Sequence, residues 1–136
     1  MKVILAAAKD QQSGERLFAL QTLWILNAES TEAVPQLLGL LKDEDKDIVW
    51  VAIDVLGRIG SQAERVVPAL VEVLQDKDSG FRSNAIQALA AFGADAKAAV
   101  PALMELLNDK EDWVREQAAQ ALKAIRVEPA TGTGVP

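Results

Sequence analysis

Pro35-Gln-Leu-Leu-Gly-Leu-Leu41, Pro68-Ala-Leu-Val-Glu-Val-Leu74 and Pro101-Ala-Leu-Met-Glu-Leu-Leu107 are one phrase written three times, 33 residues apart. A fixed period of this size marks a repeat architecture, in which a supersecondary unit that cannot bury its apolar face alone stacks on copies of itself. The spacing around the phrase is helical. Val67, Leu70, Val71 and Leu74 recur at i, i+3, i+4 and i+7, which places them on one face.

Rows of 33 give repeats near 2–34, 35–67, 68–100 and 101–126. One column holds Asp10, Asp43, Asp76 and Asp109; another holds Ala19, Ala52, Ala85 and Ala118. A third holds Leu23, Leu56, Leu89 and Leu122, and a fourth the large apolar residues Leu26, Ile59, Phe92 and Ile125. The first row carries Lys2 where the others carry proline, as a degenerate terminal repeat does.

Each row contains two helical patterns, A and B. Helix A carries the proline phrase, and helix B of the third row buries Phe81, Ala85, Leu89 and Phe92, with Ala88 beside them. The alanine column marks where two helices cross, because a larger side chain there would push them apart. The A–B turns, 42–47, 75–80 and 108–112, are polar, and their Asp and Ser residues suit the N-terminus of helix B. Gly60 and Gly93 are placed to end helix B in the left-handed region. The proline falls about one and a half turns into helix A, where it removes a donor, and is expected to kink the helix and curve the stack. The spacing predicts helices near 2–9, 14–27, 31–42, 47–59, 63–75, 80–92, 95–108 and 112–126.

Composition narrows the chemistry. The 136 residues include no Cys and no His, which removes disulfides, thiolate nucleophiles, Cys/His zinc sites and histidine bases. Half the residues are hydrophobic and only 4% aromatic, so Leu, Val, Ile and Ala fill the core. The net charge of −6 and pI near 4.6 speak against nucleic acid and anionic membrane surfaces as partners. No apolar run approaches the roughly 20 residues of a membrane helix. The apolar start of the chain stops at Lys9-Asp10, too short for a secretory leader, so it reads as a short helix and the expected location is cytoplasmic.

No catalytic constellation emerges. The turn Asp43-Glu-Asp45-Lys-Asp47 resembles the start of a calcium loop, but position six is Ile48 and position twelve is Asp54, so these residues read as solvated caps. Asp54 and Glu116 both fall on helix B, in different columns, and no nucleophile accompanies them. Ser13, Ser30, Thr31, Ser61, Ser79 and Ser83 have no base to activate them. The expectation is a protein that is not an enzyme and has no catalytic residue, metal or cofactor.

The helix-A proline, the turn Asp and the phrase Asp112-Trp-Val-Arg115-Glu-Gln-Ala118-Ala-Gln-Ala-Leu122 resemble HEAT repeats, in particular the short type of phycobilisome lyase subunits and bacterial scaffold proteins. The resemblance covers residues 2–126. It implies an all-α, right-handed α-solenoid of about four HEAT-like helix pairs, with helix B lining the concave face and the helix-B Arg pairing with a turn Asp. That Arg is present as Arg16, Arg82 and Arg115, but Val49 stands in the second row, so the ladder should be interrupted there. The period is shorter than the ~40–47 residues of full-length units. Ankyrin and tetratricopeptide repeats have similar periods, but their signature phrases are missing.

On this reading the chain is a protein- or peptide-binding scaffold. Leu17, Trp24, Val49, Trp50 and Gly57 form an apolar patch on the helix-B face, with Arg16, Asp54, Arg82 and Arg115 around it. An aromatic patch rimmed by polar groups is a hot-spot pattern. The competing reading packs both tryptophans on neighbouring repeats, Trp24 over Gly57, and Trp113 is expected to pack. Two other functions remain open. One is a subunit of a chromophore-lyase-like complex, the other a structural spacer within a longer protein. Residues 1–126 form the repeat domain, and 127–136, rich in Pro and Gly, read as a disordered tail or linker.

Overall fold

The computed structural model describes residues 13–25 and 31–126, without the side chains of residues 13, 15 and 23–25. The helix expected at 2–9 and the tail at 127–136 lie outside the described residues. The elements in order are α1 (Ser13–Ile25), a 3-10 turn (Thr31–Ala33), α2 (Val34–Leu40), α3 (Lys46–Ile59), α4 (Ala63–Val73) and α5 (Ser79–Phe92). A 3-10 stretch (Gly93–Ala99), α6 (Val100–Glu105), a 3-10 turn (Leu106–Asn108) and α7 (Asp112–Arg126) complete it. Among the described residues there is no strand. The B helices α1, α3, α5 and α7 pack each on the next, and α2, α4 and α6 pack alongside them. This is the expected all-α solenoid of stacked helix pairs.

The turns fix where each B helix starts. Asp45 caps α3, its carboxylate accepting from the Asp47 N–H at 3.0 Å, and Asp78 caps α5 through the Gly80 N–H at 2.8 Å. Gly60 ends α3 in the left-handed region (φ 62, ψ 21), as anticipated. Gly93 ends α5 differently: with φ 58 and ψ −134 it turns the chain into the 3-10 stretch.

The prolines correct one expectation. Of Pro35, Pro68 and Pro101, only Pro68 lies in the interior of an α-helix, α4. Pro35 and Pro101 sit in the first turn of α2 and α6, just after Val34 and Val100, and each of these helices follows a 3-10 segment. Proline is tolerated in the first turn, where the missing N–H had no helical partner. In these two A segments the chain changes from 3-10 to α just before the proline.

The core follows the columns. Ala52, Ala85 and Ala118 are fully buried, as are Leu56 and Leu89, with Leu37, Leu70 and Leu103 from the A helices. Each buried Leu contributes about 1.5–3 kcal/mol relative to exposure. Gly57 is buried against Ala88, so α3 and α5 meet backbone to side chain at that point.

Candidate functional site

Two features of the stack carry polar or exposed groups that repeat in register: the turns at the ends of the helix pairs, and the outer face of the B helices.

In the turns, each described Asp of the 33-residue column accepts a hydrogen bond from the N–H two residues on. Asp43 accepts from Asp45 at 2.8 Å, Asp76 from Asp78 at 2.8 Å and Asp109 from Glu111 at 3.0 Å. This local bond orients the carboxylate. Arg82 on α5 then reaches the turn of the following repeat. Its Nη2 donates to Asp109 Oδ1 at 3.1 Å, and its Nε lies 3.0 Å from Oδ2, an ion-pair contact without a well-aligned N–H. Its Nη1 donates to the carbonyls of Asp76 and Lys77, at 2.9 and 3.0 Å. Arg16 repeats the carboxylate contacts on Asp43, at 3.1 and 3.0 Å. In both rungs the partners are 27 positions apart, so each Arg ties its repeat to the next. Arg115 donates to the Asp109 carbonyl and the Asp112 carboxylate.

Burial alone would raise the Asp109 carboxyl. The Glu111 N–H, then the hydrogen bond and charge of Arg82, with Lys110 nearby, outweigh it and hold the group below the usual carboxylate range. Arg82 is buried and Arg16 is nearly so, which makes them staples between repeats more than the polar surround of a surface patch. Arg115 is half-buried.

The ladder is interrupted where the sequence places Val49. Val49 lies in the core, and among the described residues no cation pairs with Asp76. A cleft of about 680 Å³ opens there between the turns 42–47 and 75–80.

On the B face, Trp50 is 50% exposed. Its carbonyl accepts from Nδ2 of the buried Asn84 at 2.9 Å, which fixes α3 against α5. Leu17 is half-buried, and Asp54 pairs with Arg58 one turn on at 3.4 Å. Gly57 is not part of this face, because it is sealed against Ala88. The side chain of Trp24 lies outside what is described. Trp113, expected to pack, is 43% exposed. Phe18, which the sequence reading did not single out, is 71% exposed. Its column offered a signal: Asn84 and Gln117 in the same column bond to the preceding repeat, on Trp50 and Ser83. Further along, a groove of about 360 Å³ runs between α5 and α7, floored by Ile86, Ala90 and Ala121 and edged by Gln87 and Gln120.

Residues 1–90 and 62–123 match the family model for HEAT repeats, and the chain belongs to that family. No curated protein sequence matches it. Among solved structures it is similar to a designed armadillo repeat protein in complex with the peptide (KR)4, at TM-score 0.71 and 19% identity over 90% of this chain and 62% of that one. It is also similar to Kap121p, at TM-score 0.74 and 21% identity over 90% of this chain and 14% of that one. A third likeness is to the CpcE–CpcF complex of phycocyanin lyase from Nostoc sp. PCC7120, at TM-score 0.64 and 19% identity over 97% and 67%. The chain spans about three fifths of the length of the first designed proteins it matches. At these identities the likenesses establish the fold.

Proposed function

We propose that the chain is a non-enzymatic scaffold that binds a protein or peptide along the helix-B face. The observation that carries this is Trp50, a large aromatic left half-exposed on a helix whose position is locked by Asn84. A rigid, exposed Trp beside apolar and polar neighbours supplies contact area at low entropic cost. Leu17, the corresponding residue one repeat earlier, and Asp54 share its face, with Trp24 as a further candidate. The groove between α5 and α7 extends the surface with the amides of Gln87 and Gln120, which donate and accept as a peptide backbone requires. Arg16 and Arg82 act behind this surface by holding the repeats in register, Arg115 by bracing the turn of its own repeat, and Val49 by filling the core.

The designed armadillo neighbour, a complex with a peptide, is a precedent for this use of a helical stack. The likeness to the phycocyanin lyase complex supports the fold, and the lack of His and Cys argues against this chain acting alone in such chemistry.

The test is a displayed random-peptide library selected on the wild-type chain. Selected peptides should bind Trp50→Ala at least about tenfold more weakly, the loss of roughly 1.4 kcal/mol expected for an anchor. Peptides that bind Trp50→Ala as well as wild type would overturn the assignment.

A further inference from the structure

We propose that the interrupted rung at Val49 is a receptor for an arginine side chain carried by a partner protein or peptide. It is separate from the helix-B face and does not rest on that reading.

The filled rungs show what a guanidinium meets in this stack. Arg82 donates to the carbonyls six and five residues before it, those of Asp76 and Lys77, and Arg115 donates to the carbonyl six before it, that of Asp109. Arg82 and Arg16 also grip the turn Asp 27 residues on. Counted from Val49, the same positions are the carbonyls of Asp43 and Glu44 and the carboxylate of Asp76. All three residues line the 680 Å³ cleft. The acceptor is already oriented, because Asp76 holds the same 2.8 Å bond from the N–H two residues on that orients Asp43. A receptor set before its ligand arrives loses little freedom on binding. Val49 ends at its two methyl groups, so the space a guanidinium would take from inside the chain is open from outside. Leu41 and Phe81 wall the cleft and suit the methylene stem of an arginine.

Lys42, Lys46 and Lys77 also line the cleft, and Lys46 lies 3.9 Å from Asp78. The Asp43 charge is already committed to Arg16. Selection therefore rests on the fork. A planar guanidinium spans a carboxylate and two carbonyls together, which a lysine ammonium does not. The net charge of −6 favours the approach of a basic segment.

Amide NMR of the full chain, titrated with acetyl-Gly-Arg-Gly-amide and its Lys counterpart, tests this. The Arg peptide should shift Asp43, Glu44, Val49, Asp76 and Phe81 saturably, with an affinity at least about fivefold above the Lys peptide. Asp76→Asn, a change at an exposed residue, should weaken the Arg peptide by about fivefold or more. Val49→Arg should fill the rung from within, abolish the shifts and raise the unfolding midpoint. Trp50→Ala should leave the titration unchanged, so failure of the helix-B reading does not affect this result. Equal response to both peptides, binding that survives Val49→Arg, or no shift at ~10 mM peptide would overturn the proposal.

Discussion

A Cβ added to Gly57 would stand 2.9 Å from the Cβ of Ala88, closer than two such carbons pack. The B helices of the second and third repeats meet at that point with no room for a methyl group. In an ordinary helix Gly→Ala stabilises by about 0.5–1 kcal/mol. Here overpacking at roughly 1–3 kcal/mol outweighs that gain, so Gly57→Ala is expected to be net destabilising in urea unfolding. Ala88→Gly in the same chain should restore part of the loss. A Gly57→Ala chain more stable than wild type would show that the helices do not touch there.

Leu89 is fully buried in α5, in the column it shares with Leu56 and Leu122. Leu89→Ala should lower the unfolding free energy by ~2–5 kcal/mol through the cavity it leaves. A loss below about half a kcal/mol would put Leu89 outside the seam.

Trp50 and Phe81 should separate surface from core. Phe81 is buried, and Phe81→Ala should cost about 3–5 kcal/mol. Trp50→Ala should cost less than about 1 kcal/mol and leave the circular dichroism spectrum unchanged. Equal losses from the two changes would make Trp50 a structural residue.

Asp109 sets a pH dependence. Its carboxyl is held below its unfolded value of about 3.9, so it stabilises the fold above that pH. The contribution is lost as pH falls from about 4 toward the lower folded value. Unfolding midpoints of wild type and Asp109→Asn should differ by a constant amount above about pH 5 and converge on further acidification. A difference that holds or grows below about pH 3 would contradict the pairing with Arg82.

Much of this was legible in the chain. The caps at Asp45 and Asp78, the left-handed Gly60 and the buried alanine column follow from short-range rules and from a period that puts equivalent residues in equivalent surroundings. Column position does not name a partner, however. The sequence columns place Arg82 around the surface patch, but its Asp lies 27 residues on, in the next repeat, and the contact buries both side chains. The prolines depart for a related reason. Pro35, Pro68 and Pro101 share a column, but only the segment before Pro68 keeps α-helical hydrogen bonding, entered through Gln62 with φ 53. Exposure of Trp113 and Phe18 depends on what the neighbouring repeat presents, which periodicity within one row does not encode.

The account holds that each repeat docks on the next in one fixed register, with Arg82 and Asp109 joining the third to the fourth. A double-mutant cycle of Arg82→Ala and Asp109→Ala in urea measures that directly. Arg82→Ala should cost about 3–5 kcal/mol, because it leaves a buried carboxylate without its partner. The double variant should be at least ~1 kcal/mol more stable than the sum of the single losses implies. Additive losses, with a coupling of zero within about 0.3 kcal/mol, would mean the two repeats are not joined as described.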